Sequence, residues 1–353
     1  MKVAVVYDRV NKWGGAERVL LALHEMFPDA PLYTSVYDER NAPWAKVFPR
    51  VYTSFLQKFP LAKSNHEFLA LLMPLAFELF NFDEYDLVIS VTSEAAKGII
   101  TKPETLYICY MLTPTRYLWS HYDLYFKNPI LKFISKPFVD YLRSWDKIAA
   151  MRPDKIIAIS TEVKNRIKKY YRRDSEIVFP PAGSLVPKQK TRGKRKYYLV
   201  VNRLVGYKKV DIAVAAFNKL GHPLYIVGKG WQEWRLKLIA KKNIKFFGAV
   251  SDERLAELYS GAKALVMPQE EDFGIVAVEA QGFGVPVIAY KKGGALDTVI
   301  DGKTGVFFDR QDAESLTGAV KKFEKIGFVV DNLYTNAQRF SEKSFQQKIE
   351  RLV

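Results

Sequence analysis

Apolar residues in this chain fall into short runs bounded by polar or turn residues, and between many of these runs the apolar positions recur at helical spacing. Residues 3–7 form one such run, followed by Gly14-Gly15 and a helical stretch over 16–26. Residues 87–90, 106–111 and 155–159 are further short apolar runs. After residue 195 the alternation restarts. Residues 197–201 predict a strand and 210–220 a helix, then 224–227 a strand and 231–241 a helix. Residues 244–247, 264–267 and 285–289 continue the strand series. Apolar β-branched runs alternating with helices belong to parallel sheets covered on both faces, so the pattern predicts an α/β fold.

The alternation pauses at Phe179-Pro180-Pro181-Ala182-Gly183, which breaks helix and strand alike, and at the basic tract from Pro187 to Lys196. This is the expected linker between two Rossmann-like domains, 1–185 and 186–330. Open α/β sheets bind ligands outside the carboxyl ends of their strands, so two joined sheets are expected to face a central cleft. The last run, 331–353, is helical in period through Leu333, Ala337, Phe340, Phe345, Ile349 and Leu352. With no strand to pair with, it is expected to return to the first domain.

Composition removes several classes. The 353 residues are 48% hydrophobic and 26% charged, ordinary for a globular chain of about two domains. The single Cys109 excludes a disulfide framework and a cysteine-based zinc cluster. His24, His66, His121 and His222 stand far apart, and no Asp-x-Asp triplet occurs, so no metal site is expected. The first apolar run is too short for a signal peptide. The stretch 68–80, broken by Pro74 and Glu78, is too short to span a bilayer. These features predict a cytoplasmic protein. The net charge is +16, about +5 up to residue 185 and about +11 beyond. Nucleic acid, an anionic membrane and a phosphate-rich substrate all suit that balance. No nucleic-acid-binding motif accompanies it, so nucleic acid is not the expected partner.

Chemistry concentrates in Pro268-Gln269-Glu270-Glu271-Asp272-Phe273-Gly274-Ile275-Val276-Ala277-Val278-Glu279-Ala280. This segment follows an apolar strand, and Gly274 is expected to open a helix that ends near Gly282. Uncapped N–H groups at a helix start attract anions. Carboxylates facing phosphate would be repelled, so Glu271 and Glu279 better suit hydroxyl groups such as those of ribose or a hexose. On the residues alone, a capping neighbour and a solvent-facing charge are the competing reading, although Glu279 stands between Val278 and Ala280.

The segment resembles the E-x7-E motif of retaining glycosyltransferases of family 4, which have the two-domain GT-B fold. The match extends through Glu-x-Phe-Gly to the Gly-x-Pro-Val after the helix. Glu270 to Ile275 resembles the GDP-mannose-dependent subgroup. The resemblance implies that Glu279 holds the nucleotide ribose, that Glu271 meets the transferred sugar, and that Phe273, Gly274, Ile275 and Val276 line the donor site. Asn202-Arg203-Leu204-Val205-Gly206-Tyr207-Lys208-Lys209 looks like the family's Arg-x4-Lys pair, which implies that Arg203 and Lys208 neutralise the donor diphosphate. Gly14-Gly15-Ala16-Glu17 resembles the family's Gly-Gly loop, where missing side chains admit donor or acceptor. Tyr141 to Asp146, Arg152-Pro153-Asp154, Pro180-Pro181, Lys292 to Ala295 and Asp301 to Gly305 are similar to further family segments, although the last also reads as plain turn chemistry.

One position departs. In Thr113-Pro114-Thr115-Arg116-Tyr117-Leu118-Trp119 the family pattern continues, but its preceding histidine is Leu112 here. Leucine neither donates nor accepts a hydrogen bond. Arg116 is a candidate for acceptor or phosphate contact. The implied function is transfer of a hexose, mannose from GDP-mannose, to a hydroxyl of a lipid-linked or polysaccharide acceptor. The nucleotide sugar serves as co-substrate, with no metal and no cofactor. A UDP- or ADP-sugar donor is the alternative, as is a sugar-nucleotide-binding protein whose catalysis Leu112 has weakened. Finally, Tyr125 to Lys136 interleaves basic and bulky apolar residues. It reads either as a surface that docks peripherally on an anionic membrane or as a core helix with lysines at its rim.

Overall fold

The computed structural model describes residues 1–60, 62–63, 69–182 and 195–353. Gly183, residues 187–194 of the basic tract, His66 and Phe68 lie outside the described residues. Contacts divide the chain into one unit of Met1–Pro180 with Phe345–Val353 and a second of Pro181–Ser344.

The first unit is built on β1 (Val3–Tyr7), β2 (Leu32–Thr34), β3 (Val51–Thr53), β4 (Leu87–Thr92), β5 (Leu106–Met111), β6 (Lys155–Ala158) and β7 (Glu176–Ile177). They form one parallel sheet in the order β3-β2-β1-β4-β5-β6-β7. Its helices are α1 (Gly15–Met26), α2 (Met73–Glu78), α3 (Tyr122–Tyr125), α4 (Pro129–Ala149) and α5 (Thr161–Tyr171). The two-residue and three-residue strands carry too few alternating positions to show in the sequence.

The second unit contains β8 (Tyr197–Val201), α6 (Val210–Leu220), β9 (Leu224–Val227), α7 (Glu233–Ile239), β10 (Ile244–Gly248), α8 (Asp252–Ser260), β11 (Ala262–Met267), α9 (Ile275–Gly282), β12 (Val287–Tyr290), α10 (Ala295–Thr298), β13 (Gly305–Phe308), α11 (Ala313–Phe323) and α12 (Val330–Gln338). Its parallel sheet runs β10-β9-β8-β11-β12-β13. Side chains alternate across it as the pleat requires. Tyr198, Val200, Ala264, Val266 and Ile288 enter one apolar core, while Leu199, Leu265, Met267, Val287 and Ala289 enter the other.

Three expected elements differ. The helix expected over 231–241 begins at Glu233, because the Gln232 N–H is given to the Leu204 carbonyl at 3.0 Å and the preceding residues stay in a loop. The strand expected from 285 begins at Val287, since Val285 N–H closes the end of α9 on Ala280 O at 2.8 Å. The run 331–353 is two helices, α12 and α13 (Glu342–Glu350), parted at Phe340. Asn336 ties α12 to the second unit by donating to Gln281 Oε1 at 2.6 Å and Thr298 O at 2.8 Å. Only the final residues serve the first unit, through Phe345 against Tyr110 and Lys155 Nζ donating to Leu352 O at 2.7 Å. Among the described residues, no helix is long and apolar enough to cross a membrane.

Candidate functional site

In the second sheet the strand order reverses between β8 and β11. Loops leaving the carboxyl ends of two such strands diverge and leave room for a ligand. Here they are residues 202–209 and 268–274, so the fold brings together the two segments that carry the candidate chemistry.

Lys208 ends a 3₁₀ turn, Gly206–Lys208, and is buried, which for lysine demands a partner. Its ammonium donates to Glu271 Oε1. The Gln269 amide donates to the same oxygen at 3.0 Å. Gln269 Oε1 is itself buried without a hydrogen-bond partner, an orphan that a hydroxyl or water would satisfy. Lys209 takes the left-handed conformation (φ 52°), which stops the turn and lets α6 begin at Val210. Arg203 is exposed. It donates to the Tyr207 hydroxyl, and its guanidinium lies 6.0 Å from the Tyr207 ring, with Lys208 Nζ 5.2 Å from that ring. Tyr207 therefore has both cations beside it, a role that sequence reasoning did not assign to it.

Glycines set the shape of the acidic loop. Gly274 caps α9 at φ +86°, where a side chain is disfavoured, and an added Cβ would lie 2.9 Å from Met267 Cε. No side chain caps this helix start, so the first-turn N–H groups around Ile275 and Val276 have no side-chain acceptor at the cap. Gly293 (φ +66°) passes so close that a Cβ would meet Glu271 O at 2.3 Å, and Gly294 N–H donates to that carbonyl at 2.8 Å. Lys292 pairs with Glu270 at 3.1 Å. Phe273 is buried against Phe340, with ring centres 5.5 Å apart.

Glu279 is 2% exposed, so it is not a solvent-facing charge. Tyr259 of α8 donates to its Oε2 at 2.9 Å. Glu271 and Glu279 thus stand in separate hydrogen-bond sets, the first with Lys208 and Gln269, the second with Tyr259.

Sequence reasoning also passed over Gly228-Lys229-Gly230 after β9. A Cβ on Gly228 would fall 1.8 Å from Asn202 O, and one on Gly230 would fall 2.2 Å from Leu204 O. Leu204 N–H donates to Lys229 O at 2.9 Å, so this loop fixes the backbone that carries Arg203. Trp231 follows it and stays exposed beside Gly206. The G-x-G spacing after a strand was the available signal.

Gly14, Gly15 and Arg116 lie in the first unit. Gly14 is the uncapped N-cap of α1, and an added Cβ on Gly15 would meet no atom within 4 Å, so the loop is open. Beneath it Glu17 is buried, accepts from Tyr7 Oη at 2.9 Å, and is pushed above the usual carboxylate range by burial. The first sheet also reverses, between β1 and β4. There Asp8 accepts from Thr92 Oγ1 at 2.9 Å and from the N–H groups of Ser93, Ala95 and Ala96 at 2.6–2.9 Å. Arg9 pairs with Glu94 alongside.

Leu112 and Arg116 follow β5, and both are half-buried. Leu112 N–H donates to Thr92 O at 2.7 Å. Thr115 and Trp119 of this loop donate to Asp146 at 2.8 and 2.7 Å. Asp146 also meets the fully buried Lys97 at 2.5 Å. That network, which the sequence did not disclose, positions the loop from below. Cys109 is buried in β5 with its thiol pushed up to about 11 by burial, and it takes no part. Among the described residues, no group of three His, Cys, Asp or Glu side chains is placed to hold a metal ion.

Residues 184–344 match the family model described as glycosyl transferases group 1. Over 211 residues the chain is 26% identical to an uncharacterized glycosyltransferase of Methanocaldococcus jannaschii, covering 58% of this chain and 60% of that one. Over 146 residues it is 33% identical to a GDP-mannose-dependent alpha-(1-6)-phosphatidylinositol monomannoside mannosyltransferase of Mycolicibacterium smegmatis, covering 36% and 38%. The chain thus spans about three fifths or less of these relatives' lengths. The fold is similar to that of Anabaena HepE solved in complex with UDP, with a TM-score of 0.71 over 100% of this chain and 99% of the other at 19% identity. The two parallel Rossmann-like units are those of the GT-B fold.

Proposed function

We propose, from a second unit that carries the group 1 glycosyltransferase pattern, that the protein is a retaining glycosyltransferase. It moves a hexose, mannose from GDP-mannose, onto a hydroxyl of a lipid-linked or polysaccharide acceptor. The observation that carries this reading is the meeting of Lys208 with Glu271 where the strand order of the sheet reverses, with Arg203 on the same loop.

The chemistry follows from those groups. As the bond between sugar and phosphate breaks, the diphosphate takes the electron pair and gains charge. Lys208, Arg203 and the first N–H groups of α9 are the donors that offset it, so the charge needs no metal ion. Glu271 orients a sugar hydroxyl and holds Lys208 in place. Glu279, buried and fixed by Tyr259, accepts from the ribose. The acceptor oxygen bonds to the sugar on the face the phosphate leaves, and its proton passes to a phosphate oxygen.

GDP-mannose is favoured by the likeness of Glu270 to Ile275 to enzymes using that donor and by the relative named for it. A mass-spectrometric screen of hydrolysis and transfer across GDP-, UDP- and ADP-sugars tests the reading. Release of GDP from GDP-mannose is expected. Turnover of a UDP-hexose alone would replace the donor. Tight binding without turnover would replace the enzyme by a binding protein, with Leu112 as the reason.

A further inference from the structure

β3, β2 and β1 are parallel neighbours, so the loops that follow them leave from the same edge of the first sheet. Loops at the carboxyl ends of strands are where open α/β sheets take ligands. Here they border a cavity of about 480 Å³, lined by Tyr37, Asp38, Glu39 and Arg40 after β2 and by Gln57 and Lys63 after β3. That size falls within the roughly 300–1,000 Å³ of small-molecule sites. Gln57 fixes the wall twice, accepting from Tyr37 N–H at 2.8 Å and donating to Tyr37 O at 3.0 Å. The loop after β1 is bonded to the same wall. Asp38 N–H donates to Val10 O at 2.8 Å, and Asn11 Nδ2 donates to Lys63 O at 2.9 Å. A cavity held in this way loses little entropy when a ligand arrives.

The same two segments carry an aromatic platform. Trp44 Nε1 donates to Lys12 O at 2.8 Å, and the Trp44 ring meets Trp13 edge-on with centres 6.2 Å apart. Trp13 is 48% exposed and directly precedes Gly14-Gly15, where a Cβ on Gly15 would meet no atom. A tryptophan held by a neighbour offers a large contact area at small entropic cost. The C–H face of a pyranose ring is a surface of matching size and polarity.

Charge selects the occupant. Asp38 and Glu39 stand against Arg40 and Lys63, so the lining is neutral in a chain of net charge +16. The Asn41 amide, 2.8 Å away, holds the Asp38 carboxyl below the usual carboxylate range, which keeps it ionised. A phosphate would meet as many acids as bases here. Sugar hydroxyls both donate and accept, so they satisfy carboxylates and cations alike. Tyr37 Oη and Asn11 Oδ1 are also buried without a hydrogen-bond partner among the described residues, a state native interiors seldom leave unanswered.

We infer that this cavity binds a neutral saccharide, with Trp13 stacked on the ring beside it, and that the acceptor therefore ends in a sugar unit. Calling the saccharide the acceptor rests on the transferase reading; its binding does not. Saturation-transfer NMR of the full chain, without donor, tests the site with mannobiose, cellobiose and lactose, and with glycerol 3-phosphate as the anionic probe. At least one disaccharide should receive saturation, and glycerol 3-phosphate should not. Trp13→Ala should weaken that binding about tenfold, and Trp13→Phe should retain most of it. Arg40→Ala should weaken it severalfold. Trp234→Ala, at an exposed site on α7, should leave it unchanged.

The substituted side chains are half-exposed or exposed, so an unchanged Tm is the expected control. If transfer occurs, Trp13→Ala should raise KM for the bound disaccharide. Binding through Trp13 with no transfer to the bound sugar would uphold the site and overturn its assignment to an acceptor. Saturation of none of the disaccharides would overturn the site itself. So would full binding by both Trp13→Ala and Arg40→Ala, or a preference for glycerol 3-phosphate.

Discussion

Lys208→Ala strikes the group on which both the geometry and the proposed chemistry converge. In the folded chain its ammonium donates to Glu271, and the two side chains are only 10% and 16% exposed. Removal leaves Glu271 the Gln269 amide at 3.0 Å. A lost hydrogen bond between charged groups costs about 1.5–3 kcal/mol. The larger penalty of a fully buried orphan charge does not arise, because Glu271 still reaches water. At about 2–4 °C per kcal/mol for a unit of this size, Tm should fall by several degrees. Adding Glu271→Gln should recover part of that loss, since a neutral amide no longer needs the cation.

Turnover should suffer far more than stability. The diphosphate charge grows only as the bond breaks, so kcat should drop about 10²–10³-fold while GDP affinity changes less. Initial rates by mass spectrometry, calorimetry with GDP and thermal melts separate the three quantities. If Lys208→Ala raised KM and left kcat intact, the lysine would serve ground-state binding alone and the proposed role would be wrong.

Glu279→Ala should weaken GDP binding about 10–100-fold by calorimetry, the loss of one hydrogen bond to a buried carboxylate, whereas Glu271→Ala should affect GDP-mannose more than GDP; unchanged GDP affinity in Glu279→Ala would remove the ribose assignment. Gly274→Ala should cost about 1–2 kcal/mol in urea unfolding because of its left-handed backbone, while Gly15→Ala, with open space around it, should be tolerated. Burial raises the folded-state pKa of Glu17, so ionising it opposes folding: its contribution worsens as pH rises from the unfolded carboxyl value through the folded one. Glu17→Gln, which can still accept from Tyr7, should therefore raise Tm at neutral pH, and a gain that did not shrink toward pH ~4 would contradict this. Leu112→His should raise rate or affinity for at least one hexose donor in the panel; no gain with any donor would show that this position has no part in sugar recognition.

The sequence by itself determined the alternation of strands and helices, since each apolar run between turns has one way to be covered on both faces. It also determined the opening of α9 at Gly274, where backbone conformation is a local property of glycine. The two acids and the Arg203-to-Lys208 spacing were legible for the same reason, as neighbours on one loop or one helix. The tertiary structure decided which of these groups meet. Lys208 reaches Glu271 only because strands far apart in sequence become neighbours at the reversal of the sheet. Burial of Glu279 depends on Tyr259 arriving from α8. The end of the chain is divided between the units by Phe340 and Asn336, although one apolar period runs through both helices. For residues 125–136 the sequence left a docking surface and a core helix with lysines at its rim both open, and only packing showed that residues 129–138 stay out of the core. Periodicity records that a side chain is apolar; what covers it is a property of elements distant in the chain.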